Sequence, residues 1–227
     1  MDSDYSTRTE SLLGKDAVLR LESAHVVIVG LGGVGGYALE GLVRAGVGKI
    51  TAIDGDRVEK SNFNRQIIAT SGTLGLLKAE AFGARAKSIN PGLEYNGIGC
   101  FLDSDNVSRL IPDDADFVID AIDSVKDKVA LALYCKRQGI SEISCLGTGN
   151  RLDSAGFEIC DIYLTHGCPL AKKMRHELKK AGVLSLTALY STAPVQGDRK
   201  VVGSISYLPA IAGLKLCEHV IKCLVKE

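Results

Sequence analysis

The sequence predicts a doubly wound α/β fold, parallel in its N-terminal part, with antiparallel strands added to the sheet in the C-terminal part. Three observations carry this. Short apolar runs alternate with helical patterns from residue 25 onward. A glycine-rich turn joins the first run to the first of these helices. Near residue 150 the alternation stops, and strand-like runs follow with a single helical stretch between them.

The elements read in order as follows. Residues 1–24 form an N-terminal helical arm. "HVVIVG" has the continuous apolar character of a central parallel strand covered on both faces. "GGVGGYALEGLVRAGVG" is a glycine turn and then a helix that stops near Gly46. "KITAID" is the second strand, and "GLLKAEAFGARAKSIN" a helix halted by Pro91. "LEYNGIGCFL" is the third strand, and "DNVSRLI" a short helix capped by Asp105 or Asn106. "ADFVIDAID" is a buried strand, "KDKVALALYCKRQG" a helix and "ISEISCLG" a strand. "FEICDIYL", "SLTALYS" and "VVGSISYL" then read as strands, interrupted by the helix "PLAKKMRHELKKAG". "LPAIAGLKLCEHVIKCLVKE" closes the chain as an amphipathic helix. No repeat or low-complexity linker divides the chain, so residues 1–227 read as one domain. The segment from about 165 to 200, with its charged helix and the turn "APVQGDRK", reads as a mobile insertion.

A chain of 227 residues buries about 70% of its unfolded surface, so it needs no disulfide or metal staple. With 27 basic and 27 acidic residues it lacks a general nucleic-acid coat, though a local basic patch is compatible with that balance. Seven cysteines, an odd number with no Cys-x-x-Cys pair, argue against a zinc site or a disulfide framework. Most read as buried thiols of a reducing compartment. The polar, acidic start "MDSDYSTRTE" is no signal peptide. No apolar run reaches about 18 residues, so no membrane span is expected. Together these place the chain in the cytoplasm.

"VVIVGLGGVGG" holds Gly30-x-Gly32-x-x-Gly35, with Gly33 inside it, between a strand and a helix. The first glycine allows the tight turn. The second lets backbone N–H groups approach a phosphate, and the helix dipole favours its charge. Asp54 ends the next strand, where an acidic residue bonds a ribose hydroxyl. Taken alone, the motif means an adenine nucleotide, with NAD as the default ligand. Lone glycines serving only helix–strand packing are the weaker reading, because strand, loop, helix, second strand and acid all occur in sequence.

"DGDRVEKSNFNRQ" argues for a triphosphate instead. A pyrophosphate needs little beyond the loop. A triphosphate brings further charge and Mg²⁺, and so needs cations and a carboxylate. Arg65 suits bidentate phosphate binding. Asn62 and Gln66 add neutral bonds, and Lys78 at the next helix start adds a point charge. Asp123 lies just past the strand "FVIDAID", at the carboxyl end of the sheet where such folds bind ligands, and is the natural metal ligand. Each has an ordinary alternative. An isolated loop Arg or helix Lys is usually solvated, and Asp120 and Asp123 could cap the helix starting near Lys126.

The series "GLGGVGG…IDGDRVEKSNFNRQ…GLLKAEA…DAIDS" resembles the ubiquitin-activating-like adenylating superfamily, which includes ThiF and MoeB. The resemblance implies ATP and Mg²⁺ as cofactors, and activation of a carboxylate as an acyl-adenylate. It places the ribose on Asp54, with Asp56 beside it, and the triphosphate on Asn62, Arg65, Gln66 and Lys78. Mg²⁺ goes to Asp123. Arg8 in "RTESLLG" matches an arginine that reaches into the partner subunit's site, which implies a homodimer. Within the superfamily, "DAIDSVKDKVAL", "DIYLTHGCPLAKKMRHELKKAG" and "GSISYLPAIAG" are similar to the tRNA threonylcarbamoyladenosine dehydratases. That branch implies a tRNA substrate, and a cysteine desulfurase-type sulfur-relay protein is a candidate partner.

The chain departs from its neighbours in two ways. The paired Cys-x-x-Cys zinc ligands of the sulfur-carrier activators are missing, so no zinc is expected. Cys168 replaces the acid of an Asp-Pro-Leu turn, beside His166 in a stretch expected to be exposed. A reactive thiol needs a cationic, accessible site, so a chance replacement is favoured over a catalytic role. Activation of a carrier protein's C-terminal glycine and a plain NAD-binding domain are the competing functions. The basic helix "AKKMRHELKK" places positions 172, 175, 176 and 179 on one face, a candidate for tracking a tRNA backbone.

Overall fold

The structure, a computed structural model, describes residues 3–197 and 202–226. His25–Val29 forms β1, buried at all five positions. Lys49–Ile53 is β2, Glu94–Ile98 is β3, Phe117–Asp120 is β4 and Ser141–Cys145 is β5. Phe157–Asp161 is β6 and Thr187–Ser191 is β7. They make one seven-stranded sheet in the order β3-β2-β1-β4-β5-β7-β6. All pairs are parallel except β6 with β7.

The strands run from β1 outward through β2 and β3, and the chain then returns to β4 on the other side of β1. That reversal makes the carboxyl ends of β1 and β4 the switch point where a doubly wound sheet opens a crevice. Alternation along β1 feeds two cores. Val26 and Ile28 join the cluster formed with helices Gly35–Ala45 (α3), Lys78–Ile89 (α4) and Tyr207–Leu224 (α8). Val27 and Val29 join the one under the short helix Val107–Leu110 (α5) and the helix Val125–Gln138 (α6). A third cluster lies between α6, β7 and the helix Pro169–Lys180 (α7). The arm is two helices, Ser3–Leu13 (α1) and Lys15–Ser23 (α2), broken at Gly14 with φ 85°. The Tyr5 hydroxyl donates to the Val43 carbonyl at 2.6 Å and ties α1 to α3.

Several local expectations are corrected. "VVGSISYL" is not a strand: residues 202–206 carry neither helix nor strand, and Tyr207 and Leu208 already belong to α8. Val201 lies outside the described residues, as do residues 198–200 of the turn "APVQGDRK". α4 starts at Lys78, since Arg57 and Leu77 form an isolated bridge that holds the preceding stretch extended. Asn106 sits at the cap position of α5, but its side chain caps nothing. Asp103 instead accepts from the Asp105 and Asn106 amides. Neither Asp120 nor Asp123 caps α6; Ser124 does, accepting from the Asp127 amide. Within the expected insertion, β7 is built into the sheet between β5 and β6 and is buried at four of its five positions. Among the described residues no helix is long and apolar enough to cross a membrane.

Candidate active site

The glycine loop leaves β1 and turns back against β4. Gly30 has φ 91°, and a Cβ there would lie 2.5 Å from the Ala121 carbonyl oxygen. Only glycine permits both that dihedral and that approach. Gly35 is pressed so closely on the Gly30 carbonyl that no side chain fits. At Gly32, by contrast, a Cβ would meet only Gln66 Nε2, at 3.9 Å. The loop is therefore open on the side a phosphate would occupy. α3 starts there with no side-chain cap and no acid in its first turn, so its positive end is unopposed.

The residues named from the sequence gather around this opening. Asp54 Oδ2 accepts from the Leu31 amide at 2.6 Å, which locks the end of β2 to the glycine loop. Its Oδ1 accepts from the Asp56 amide at 2.7 Å. Lys78 Nζ, buried at the start of α4, lies 2.7 Å from Asp56 Oδ2 and 3.7 Å from Asp54 Oδ2. Asn62 and Gln66 are buried by a 3-10 turn, Lys60–Asn62. Asn62 Oδ1 accepts from the Glu59 amide at 3.1 Å. Gln66 Oε1 is buried without a partner, a state that calls for a ligand or water. The Arg65 stem passes Gly33, where a Cβ would meet its Cγ at 3.4 Å. Its guanidinium is exposed and donates to the Ser61 carbonyl at 2.9 Å and Asn64 Oδ1 at 3.1 Å.

Asp123 is exposed in the loop after β4, three residues past Asp120, with no hydrogen-bond partner among the described residues. No cluster of three metal-ligating side chains occurs among those residues. A lone free carboxylate beside a phosphate cradle suits Mg²⁺, which takes one or two carboxylates and completes its shell with phosphate oxygens and water. Arg8 is exposed on α1 and bonds with none of these groups, so the structure does not bring it into the cluster.

Sequence reasoning missed a buried network directly behind Asp123. Lys128 Nζ, on α6, bonds Asp120 Oδ2 at 2.9 Å, Ser144 Oγ at 3.2 Å and the Cys145 carbonyl at 2.7 Å. Ser144 Oγ donates to Asp120 Oδ2 at 2.6 Å, and Asp120 Oδ1 accepts from the Ile122 amide at 3.0 Å. Lys128, Asp120 and Ser144 are all fully buried. The network ties the ends of β4 and β5 together and holds the loop that carries Asp123. Its signal was present in part: Asp120 is a polar residue ending the apolar strand β4, and it pairs in register with Ser144 of β5.

Two expectations about side-chain availability fail. Cys168 is buried, because Pro169 starts α7 over it and turns the residue into the third core cluster. Cys145 is also closed off, and burial pushes its thiol up to about 12; neither is placed as a nucleophile. Arg175 does not share a free basic face. Its guanidinium donates to the Thr165 carbonyl at 2.9 Å and to Thr165 Oγ1. Lys172, His176 and Lys179 remain exposed.

With this geometry in place, residues 5–227 match the ThiF family. The chain belongs to the ThiF family. Among relatives in this family, the tRNA threonylcarbamoyladenosine dehydratase of Bacillus subtilis strain 168 is 33% identical over 97% of this chain and 94% of its own length. That of Haemophilus influenzae is 40% identical over 79% of this chain and 72% of its own. The crystal structure of the Escherichia coli enzyme, TcdA, in complex with AMP superposes with a TM-score of 0.94 at 34% identity. It covers 98% of this chain and 94% of the other. The similarity to the Bacillus subtilis protein and to the Escherichia coli structure thus extends over nearly the whole of this ThiF-family chain.

Proposed function

We propose that this chain is an ATP-dependent tRNA threonylcarbamoyladenosine dehydratase. The observation that carries the reading is the cradle at the β1/β4 switch point, open at Gly32 and carrying an unsatisfied Gln66 oxygen, in a chain similar from end to end to dehydratases of that name. ATP is the co-substrate: an E. coli relative in this similarity group has been crystallised with it.

The chemistry follows from the placement. The glycine loop and the start of α3 receive phosphates, and Asp54 faces the ribose. Arg65 releases its two weak, exposed contacts to hold phosphate oxygens. Lys78, set between Asp54 and Asp56, adds a fixed positive charge near the nucleotide. Asp123 would hold Mg²⁺, which neutralises phosphate charge when bound. The threonyl carboxylate of the modified adenosine attacks the α-phosphorus, and pyrophosphate leaves with the bonding pair. A nitrogen of the same modification then attacks the activated acyl carbon, and AMP leaves. The second step is intramolecular, so a high effective molarity replaces a protein nucleophile. That agrees with the buried state of Cys145 and Cys168. A homodimer in which Arg8 completes the neighbouring site, working in the cytoplasm, is part of the same reading.

The test is conversion of threonylcarbamoyladenosine-bearing tRNA by the purified protein with ATP and Mg²⁺, followed by nucleoside mass analysis. The expected result is loss of one water from the modified nucleoside and stoichiometric AMP. Arg65→Ala lowers the rate about 10²–10³-fold, because it removes charge stabilisation where pyrophosphate departs. Near-normal turnover in that variant, or pyrophosphate exchange that needs a carrier protein rather than tRNA, would sink the assignment.

A further inference from the structure

Four basic side chains are buried among the described residues, and three have a carboxylate. His25 faces Asp114, Lys78 faces Asp54 and Asp56, and Lys128 faces Asp120. The fourth, Arg151, has none. It is 4% exposed, its Nη1 is shut off from solvent without a hydrogen-bond partner, and no carboxylate among the described residues pairs with it. A guanidinium cannot shed its proton to escape this. An unpaired buried charge is strongly unfavourable, so the position makes physical sense when an anion from outside the chain neutralises it.

Arg151 sits in the loop after β5, at the carboxyl end of the sheet and one strand beyond the loop that carries Asp123. The loop is held firmly. Asn150 adopts φ 57°, a conformation asparagine tolerates better than most residues. Its amide donates to the Gly203 carbonyl at 2.8 Å, and its carbonyl accepts from the Gln196 amide at 2.7 Å. Its side chain accepts from the Gly203 amide. Tyr207 Oη donates to the Leu152 carbonyl at 2.7 Å. The same stretch reaches the nucleotide loop: Asn64 Nδ2 donates to the Ser204 carbonyl at 3.2 Å, and Pro209 packs on Gly33. Arg151 is therefore coupled through residues 202–209 to the residues that form the phosphate cradle.

We propose that Arg151 is the binding residue for the carboxylate of the second substrate, the group that must be brought to the α-phosphate. The assignment rests on the dehydratase reading and adds to it. The phosphates already have the glycine loop, α3, Arg65 and Lys78, whereas no other buried cation among the described residues is left for a carboxylate. Two anions must meet for the reaction to start, and a planar guanidinium both neutralises the carboxylate and fixes its orientation bidentately. Residues 202–206 run beside the loop without helix or strand.

The experiment compares wild type, Arg151→Gln and Arg151→Lys with threonylcarbamoyladenosine-bearing tRNA and ATP. Arg151→Gln is expected to lower kcat/KM for tRNA by about 10–100-fold, the worth of a hydrogen bond to a charged group. ATP affinity, measured by calorimetry, stays within about two-fold. Arg151→Lys recovers part of the loss. Without substrate, Arg151→Gln melts at or above the wild-type temperature, since an unpaired charge has been removed. A parallel loss of ATP affinity would assign the anion to the nucleotide and overturn the proposal. A lower melting temperature or loss of oligomeric state in Arg151→Gln would give Arg151 a structural partner and overturn it as well. An active wild type with an unaffected Arg151→Gln overturns this inference alone. No tRNA-dependent turnover in the wild type overturns the dehydratase reading and this one with it.

Discussion

Replacing Lys128 by Met removes the cation that pairs with a fully buried carboxylate. Asp120 then keeps two neutral donors, Ser144 Oγ at 2.6 Å and the Ile122 amide at 3.0 Å. Breaking one half of a buried pair costs about 3–5 kcal/mol, because the charge left behind has neither water nor partner. Against a total stability of about 5–15 kcal/mol this is a large loss. Asp120→Asn with Lys128→Met removes both charges, so the double variant is expected to be more stable than Lys128→Met alone. The coupling should be about 2 kcal/mol or more. Urea unfolding followed by far-UV circular dichroism gives all four corners of the cycle. Additive single effects, or a Lys128→Met penalty below about 1 kcal/mol, would refute the argument that this network is a charge pair closed to solvent.

Three further outcomes are expected. In the homodimer proposed above, an Arg8→Ala chain mixed with an Asp123→Ala chain should recover part of the dehydration activity, because one site of the heterodimer would keep both residues; no rescue in confirmed heterodimers would remove Arg8 from the proposed shared site. Burial, with the Asp120 charge adding to it and Lys128 opposing, pushes the Glu142 carboxyl well above its usual range. A raised folded-state value costs stability as pH rises from about 4.3 toward that value. Glu142→Gln should therefore gain stability over wild type at pH 7 and match it near pH 4, as read from urea midpoints. Lys172→Ala with Lys179→Ala should flatten the salt dependence of tRNA binding, by about one unit of slope or less for each phosphate that α7 no longer neutralises. An unchanged slope in filter binding across salt would take α7 off the tRNA surface.

Local patterning encodes much of this molecule. Apolar runs specify β1, β2 and β4 as buried strands, and the helical spacers between them follow from their own periodicity. The glycine spacing, Asp54 and the cluster 62–66 mark the nucleotide loop, because a tight turn and a close phosphate approach demand those residue types at fixed intervals. Tertiary structure decided where partners from distant segments meet. Residues 202–206 look like a strand, yet the sheet offers them no place beside β7, because β5 and β6 already occupy both its edges. Cys168 and Arg175 look available in the sequence, but α7 folds one into a core and ties the other to Thr165. The Asp120–Lys128–Ser144 network depends on two strands and a helix converging, and the unpaired Arg151 on the lack of a carboxylate partner among the described residues. Burial and charge pairing are sums over neighbours far apart in the chain, and no short stretch of sequence contains them.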